Sequence, residues 1–568
     1  MFDVDKGWIA VRYNKTIEWN VICPKLKKVC DGLYIHDNCL HKYPDDEIAE
    51  IRDNAYYWMD GFVYNKDELI EKDTTDDWTD TFIKESQRLG FPDRLRGGFS
   101  GFISCTGSMV LFNDHVGNHA VYYYVDGELV ICSTRVYYVV ELIKALNKVI
   151  HLDEHAAGMM LRFGYMIDNS TFVKEIRRVL PGQKIVIDNY GRIEFNQYYM
   201  PDNRSVRMDM CEEEAIELLD LYFREAVNRE FKKDKEYGYK HLVDLSGGLD
   251  SRMVTWVGHV MGYEQQMNVT VCKYDYLDYE IAVKLAADKK HSFLFMPLDD
   301  FAWFRDADEM ARKNNGASLY SGMTGGKRLY QCIDKNMFGI VHTGMVGDSI
   351  VGSFFKCPEE GYGCVKLESF KYSDILEPTE EIVNIRKYRN QEIYAVYNRG
   401  FMCAQSSYFT IQTFFETSSP FLDVDFLDNA LNIPLKLRCG HYIYLKWIET
   451  KYPDAAEYGW EKWKGLKPKV KNIDKADSWI NKYREANEHR VNTLKQSPLH
   501  MNPTDYWYDH NVGTREWAYR YFNDRISLVR DYCSAKLADD IECVFLTGKS
   551  LEKTQALTVL AWAGFILR

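Results

Sequence analysis

Six residues, Ser246-Gly247-Gly248-Leu249-Asp250-Ser251, constrain this chain more than any other stretch. They follow a short apolar run, His241 to Leu245, that reads as a buried strand. They precede Arg252 to Met261, where Met253, Val254, Val257, Val260 and Met261 recur at helical spacing. A strand, a glycine turn and a helix present backbone N–H groups and two serine hydroxyls at a helix N-terminus, which favours phosphate. Asp250 would repel that phosphate unless a divalent cation lay between them, so its presence points to Mg²⁺.

The residues downstream extend the pattern. Met267 to Tyr274 is predicted as a strand, Tyr279 to Lys289 as a helix and Ser292 to Leu298 as a third strand. Such alternation predicts a doubly wound parallel sheet that binds its ligand at the strands' C-terminal ends. Asp278, where the second strand passes into its helix, either touches the nucleotide or caps the helix. A further strand, Gly339 to Thr343, runs into Gly344-Met345-Val346-Gly347-Asp348, a second glycine turn carrying an acid. From Ser373 onward the chain reads helical, and a mostly apolar helix, Leu551 to Ile566, closes it.

The residues before Pro201 read differently. Strands are expected within Gly7 to Val21, around Trp58 to Asn65, over Leu95 to Ile103, Met109 to Asn113 and Lys184 to Ile187. Ala120 to Tyr124 and Leu129 to Ser133 form a hairpin across Asp126-Gly127, and a helix follows over Val136 to Leu146. The polar, proline-containing stretch Pro201 to Met210 marks a boundary, giving domains at residues 1–205 and 206–568.

Composition excludes several classes. At 568 residues with 46% hydrophobic content the chain can bury large cores and is not disordered. A net charge of −13 gives no bulk attraction for nucleic acid or an anionic membrane. Met1 to Tyr13 lacks the apolar core of a signal peptide, and Ala556 to Leu567 is too short to span a bilayer. The 14 cysteines show no compact disulfide framework, so a reducing cytoplasm is expected. Cys23, Cys30, His36, Cys39 and His41 are ligand types without finger spacing, and ordinary thiols are the better reading. Gly325-Gly326-Lys327-Arg328 lacks the hydroxyl residue of a Walker loop, and Gly548-Lys549-Ser550 has Cys543 where the leading glycine belongs.

The SGGLDS run resembles the pyrophosphate-binding loop of the N-type ATP pyrophosphatases, which split ATP into AMP and pyrophosphate. Around it the chain resembles the asparagine synthetases. Asp60-Gly61-Phe62-Val63-Tyr64-Asn65, Gly98-Phe99-Ser100-Gly101 and Asp114-His115-Val116-Gly117 are similar to landmarks of that family's glutaminase domain. Thr343, Gly344, Gly347 and Asp348 are similar to its second signature, with Met345 and Ser349 in place of two glutamates. Glu416-Thr417-Ser418-Ser419-Pro420-Phe421-Leu422-Asp423 resembles a third segment, and Trp460 to Pro468 falls where the family carries its catalytic lysine.

The resemblance implies an α/β protein. A stacked-sheet domain of the N-terminal-nucleophile type would precede a doubly wound ATP-pyrophosphatase domain with a helical C-terminal part. It implies ATP bound by Ser246, Gly247, Gly248, Leu249, Asp250, Ser251, Thr343, Gly344, Gly347 and Asp278, Mg²⁺ held by Asp250 and Asp348, and catalysis by Lys462, Lys464 or Glu416. The implied reaction adenylates a small-molecule or peptide carboxylate and transfers ammonia or an amine to it. An intramolecular amide-forming cyclase, a sugar-acid amidotransferase and a non-catalytic nucleotide binder stay open as alternatives. Phe2 stands where the family has its catalytic cysteine, so the chain is expected not to hydrolyse glutamine, with a separate glutaminase as one nitrogen source. A homodimer is compatible with this reading.

Overall fold

The computed structural model describes residues 5–13, 17, 19–70, 76–322, 326–352, 354–376, 385–478 and 500–568. The expectation built on Phe2 therefore lies outside the described residues.

Among the described residues, twelve strands precede residue 200: β1 (Gly7–Arg12), β2 (Lys27–Cys30), β3 (Leu33–Asn38), β4 (Ile48–Arg52), β5 (Ala55–Val63), β6 (Gly97–Ser104), β7 (Ser108–Asn113), β8 (Val121–Asp126), β9 (Leu129–Ser133), β10 (Ile176–Val179), β11 (Gln183–Asp188) and β12 (Ile193–Gln197). They form two six-stranded antiparallel sheets, in the orders β10-β8-β9-β1-β3-β2 and β12-β11-β7-β6-β5-β4. The expected hairpin is present: Asp126 pairs with Leu129 across a turn in which Gly127 takes φ +58°. Period-two alternation gives each sheet an apolar inner face. Trp8, Ala10 and Tyr123 of one meet Trp58, Phe102 and Leu111 of the other in a shared core. Trp78 and Phe82 of the helix Trp78–Ser86 cover the outer face of the second sheet. The helices α1 (Val136–Ala145) and α2 (Glu154–Phe163) pack on the outer face of the first. The order is helix, sheet, sheet, helix, and the stacked sheets are the expected ones.

The long helix α3 (Glu212–Glu236) then leads into a five-stranded sheet of β13 (Lys240–Asp244), β14 (Gln266–Cys272), β15 (Ser292–Pro297), β16 (Phe338–His342) and β17 (Glu416–Ser418). Every pairing in it is parallel, in the order β15-β14-β13-β16-β17. After β13 the chain adds two strands on one side, then returns to β13's other edge with β16. That reversal makes a crevice at the C-terminal ends of β13 and β16, where an open α/β sheet receives ligands. The helices α4 (Leu249–Val260) and α5 (Leu277–Asp288) are the crossovers. A largely helical part follows, including α6 (Tyr442–Lys451), α7 (Val512–Tyr532), α8 (Ala535–Thr547) and α9 (Ser550–Leu567). α9 is buried almost all round because α2, α7 and α8 pack against it. The helical reading from Ser373 onward misses β17, a three-residue polar strand that exists by pairing Glu416 with Ile340. Among the described residues no helix is long and apolar enough to cross a membrane.

Candidate functional site

The loop after β13 is folded on itself by its own serines. Ser251 Oγ accepts from Ser246 N at 3.0 Å, and Ser246 Oγ accepts from Gly248 N at 3.1 Å. Gly248 caps α4 with no side-chain acceptor, which leaves first-turn N–H groups of α4 for an incoming oxygen. Beneath the loop Arg252 is wholly buried and donates to the carbonyls of Gly247, Ala455 and Tyr458, each at 3.1 Å. Burial pulls its pKa down to about 10. It staples the turn to the segment that carries the lysines.

The loop after β16 reaches the same place from the neighbouring strand. A Cβ on Gly344 would lie 2.3 Å from Ser251 N, and one on Gly347 would lie 2.7 Å from Asp250 Cγ. Only glycine lets the two turns close to this extent. The amide of Asp348 consequently donates to Asp250 Oδ2 at 2.8 Å, while Tyr444 on α6 donates its hydroxyl to Asp250 Oδ1 at 2.8 Å. Thr343 is buried behind them, its amide bonded to Ser418 O at 2.8 Å and its Oγ1 accepting from Met345 N at 3.4 Å. Val346 takes φ +68°, a conformation that strains a β-branched residue and that loops under functional constraint retain.

The crevice holds a cavity of about 510 Å³, within the range of small-ligand sites. Ser246, Gly248, Asp250, Asp278, Gly344 and Asp348 line it. Asp278 Oδ1 accepts from Gly247 N at 2.6 Å, so this acid braces the loop from α5. Its Oδ2 is buried with no partner, an acceptor left over for a ligand's donor. Burial and the neighbouring Glu461 lift Asp278 to about 7. Burial and the charge of Asp348 push Asp250 well above the usual carboxylate range. Burial works against ionised Asp348 too, but the nearby His441 (Nε2 3.9 Å from Oδ2) and the charge of Lys462 hold it down to about 2.

Lys462 lines this cavity, its Nζ 3.6 Å from Asp348 Oδ2 and 3.3 Å from His441 Nε2. Lys464 does not line it: it is exposed at a left-handed backbone position (φ +52°), though its charge still acts on Asp278. Glu416 is not brought to the crevice either. Its carboxylate meets His119 Nε2 at 2.8 Å in a separate small cavity, and although burial opposes the charge, Glu416 lifts His119 to about 9. Tyr444, Arg252, His441 and Glu461 complete the site without having been singled out in the sequence. Arg252, directly after the loop, carried a signal, since a basic residue on the buried side of a helix needs acceptors.

The donor set suits a magnesium-bound nucleotide. Asp244, Asp250, Asp278, Asp348 and Glu461 line the cavity against the single lysine Lys462. Such a surplus of acids repels phosphates unless a divalent cation joins them. Asp250 and Asp348 would be the pair to hold such a cation. A different cluster, Asp234, His241 and His342, meets the geometry of a three-ligand metal group among the described residues. His342 there gives Nε2 to Asp234 at 2.8 Å and Nδ1 to Glu230 at 3.0 Å, and these acids raise it to about 9 against the effect of burial. With both its nitrogens hydrogen-bonded to acids, His342 joins Asp234 and Glu230 in a buried ion network. The cysteines and histidines between Cys23 and His41 do not assemble into such a group.

No protein-family model matches the chain, and no curated protein matches it. Among solved structures it is similar to a glutamine phosphoribosylpyrophosphate amidotransferase from B. subtilis complexed with ADP and GMP. That match has 12% identity and a TM-score of 0.21, and covers 51% of this chain and 59% of that one. It is similar also to an allosteric regulatory enzyme of purine biosynthesis, at 10% identity and a TM-score of 0.23, over 51% of this chain and 74% of that one.

Proposed function

We propose that the chain is an ATP-dependent amide-forming ligase of the asparagine-synthetase type, with residues 206–568 forming the adenylating domain and residues 1–205 a glutaminase-like domain. The observation that carries this reading is the contact of two glycine turns from adjacent parallel strands, which brings Asp250 and Asp348 together at the sheet's switch point.

In this reading the first turn of α4 and the hydroxyls of Ser246 and Ser251 bind the phosphates. Asp278 orients the nucleotide through its free oxygen. A magnesium ion on Asp250 and Asp348, when bound, neutralises the phosphate charge. Tyr444 and the amide of Asp348 fix the Asp250 carboxylate, so it needs little reorganisation on binding. Lys462 stands beside Asp348, where negative charge grows on the departing pyrophosphate, and its ammonium stabilises that charge most in the transition state. The carboxylate oxygen attacks the α-phosphorus, pyrophosphate leaves, and an amine then displaces AMP from the acyl group.

The test is pyrophosphate release with Mg²⁺-ATP across a panel of carboxylic acids, wild type beside Asp250→Asn. Release stimulated by an acid and lost in the variant supports the ligase. Release of phosphate instead of pyrophosphate, or stimulation unaffected by Asp250→Asn, refutes it.

A further inference from the structure

Behind the second glycine turn lies another cavity, of about 430 Å³. It meets the nucleotide cavity at Asp348, which lines both. Segments far apart in sequence wall it: Gly164 at the end of α2, Val346 and Ser349 of the turn, and Leu551 and Thr554 at the start of α9. Trp303, Phe304, Leu319, Phe354 and Leu551 make much of the lining apolar.

Asp348 in this wall is engaged by Lys462 and His441, and among the described residues the other charge lining it has no carboxylate partner. Arg399 lines the cavity from Val396–Gln405, a stretch of π-helix, a form that is rare and frequent at functional sites. Its guanidinium donates to the Tyr372 hydroxyl and to Cys403 Sγ (2.9 Å), and lies 4.5 Å from the Tyr372 ring centroid. All these partners are neutral groups. Among the described residues no carboxylate pairs with it. Ser318, 3% exposed and lining the same cavity, keeps a buried Oγ without a hydrogen-bond partner. An unpaired half-buried cation and an unsatisfied hydroxyl both call for an anion. Arg399 also stands near the dividing turn: a Cβ on its neighbour Gly400 would lie 3.5 Å from Val346 Cγ1.

We propose that this cavity seats the carboxylic acid to be activated, and that it selects an acid with a bulky apolar body, such as an arylalkanoate, over a small polar amino acid. Arg399 and Ser318 take the carboxylate; Trp303, Phe304 and Phe354 take the body. The word activated rests on the ligase reading above, whereas the binding does not. Cavities of this volume enclose drug-sized ligands, and a small amino acid would leave most of the apolar wall wet.

The test is calorimetric titration of the full chain, without nucleotide, using 4-phenylbutyrate, 4-phenylbutanol and L-aspartate as probes. 4-Phenylbutyrate should bind at least about tenfold more tightly than the other two, and Arg399→Gln should weaken it about tenfold or more, as loss of a charged hydrogen bond requires. Ala404→Phe, which fills the cavity from the same π-helical stretch, should abolish binding while far-ultraviolet circular dichroism stays unchanged. Equal affinity for aspartate, or 4-phenylbutyrate binding untouched in both variants, overturns the proposal. Mg²⁺-ATP binding measured on the same samples separates the two readings. Intact, Asp250-dependent ATP binding with no acid binding overturns this proposal alone, and acid binding without ATP binding overturns the ligase alone.

Discussion

Replacing Gly344 with alanine probes the contact on which the site is built. The added Cβ would lie 2.3 Å from Ser251 N and 2.5 Å from the Asp250 carbonyl carbon, both backbone atoms that cannot swing aside. Ordinary contact begins at 3.4 Å, so the two turns must open by about 1 Å. Gly344 has no positive φ, so alanine fits its backbone and the effect is purely one of crowding between the turns. Overpacking of this kind costs about 1–3 kcal/mol. If the free protein keeps the turns together, that strain appears as lost stability. If the turns relax apart, it must be supplied when ATP draws Asp250 and Asp348 back together, and affinity falls about 5- to 150-fold. Urea unfolding and calorimetric titration with Mg²⁺-ATP, run on the same protein, therefore give losses that add to about 1–3 kcal/mol. Gly107→Ala, at a position with nothing within 4 Å, serves as the control and should change neither. A Gly344→Ala protein with unaltered stability and unaltered ATP affinity would refute the claim that the two turns are held in contact.

Four further outcomes are expected. Lys462→Ala lowers turnover about 10²-fold with little change in ATP affinity, while Lys464→Ala stays within a few-fold of wild type; the reverse order in pyrophosphate-release kinetics would show that Lys464 serves. Arg252→Lys, which cannot reach all its carbonyls from one nitrogen, lowers stability by about 3 kcal/mol or more in urea unfolding. His342 ordinarily titrates at 6.5 and is raised to about 9 when folded, so its contribution is complete below about 6.5 and is lost as pH rises through about 9; the melting temperature should fall between pH 7 and 10, and His342→Gln should flatten that fall. Glutamine gives no glutamate: Cys39 beside Asp60 and His119 is buried with its thiol pushed well above the usual range, and the cavity there holds only about 30 Å³; steady glutamate release abolished by alkylation would contradict this.

The parts of the fold that were legible in the sequence are those set by local physics. The strand before Ser246, the helix after it and the strand–helix alternation through Leu298 depend on short apolar runs and on 3.6-residue periodicity, and each is present in the sheet. The hairpin across Asp126-Gly127 was readable because a glycine with positive φ is what a two-residue turn demands. β17 was not readable: Glu416, Thr417 and Ser418 have no apolar alternation and become a strand only because β16 offers a free edge. For the same reason Glu416 could not be assigned from spacing, since its partner His119 lies in the other half of the chain. The family resemblance favours Lys462 narrowly over Lys464, and in the structure Lys462 lines the crevice while Lys464 does not. Tyr444 reaches Asp250 from almost 200 residues away. The second cavity left no motif at all, because its walls come from short segments far apart in sequence that meet only in the folded chain.

The central claim is that Asp250 and Asp348 hold a divalent cation on the phosphates of ATP, and it is tested most directly by one titration series. ATP is titrated into wild-type protein in Mg²⁺ and in EDTA, then into Asp250→Asn under both conditions, with folding followed by circular dichroism. The account predicts binding by the wild type that needs Mg²⁺, because the acid-lined crevice repels free ATP. It predicts loss of the Mg²⁺-dependent binding in the folded variant. ATP affinity that is the same in EDTA as in Mg²⁺, or the same in Asp250→Asn as in wild type, would contradict it.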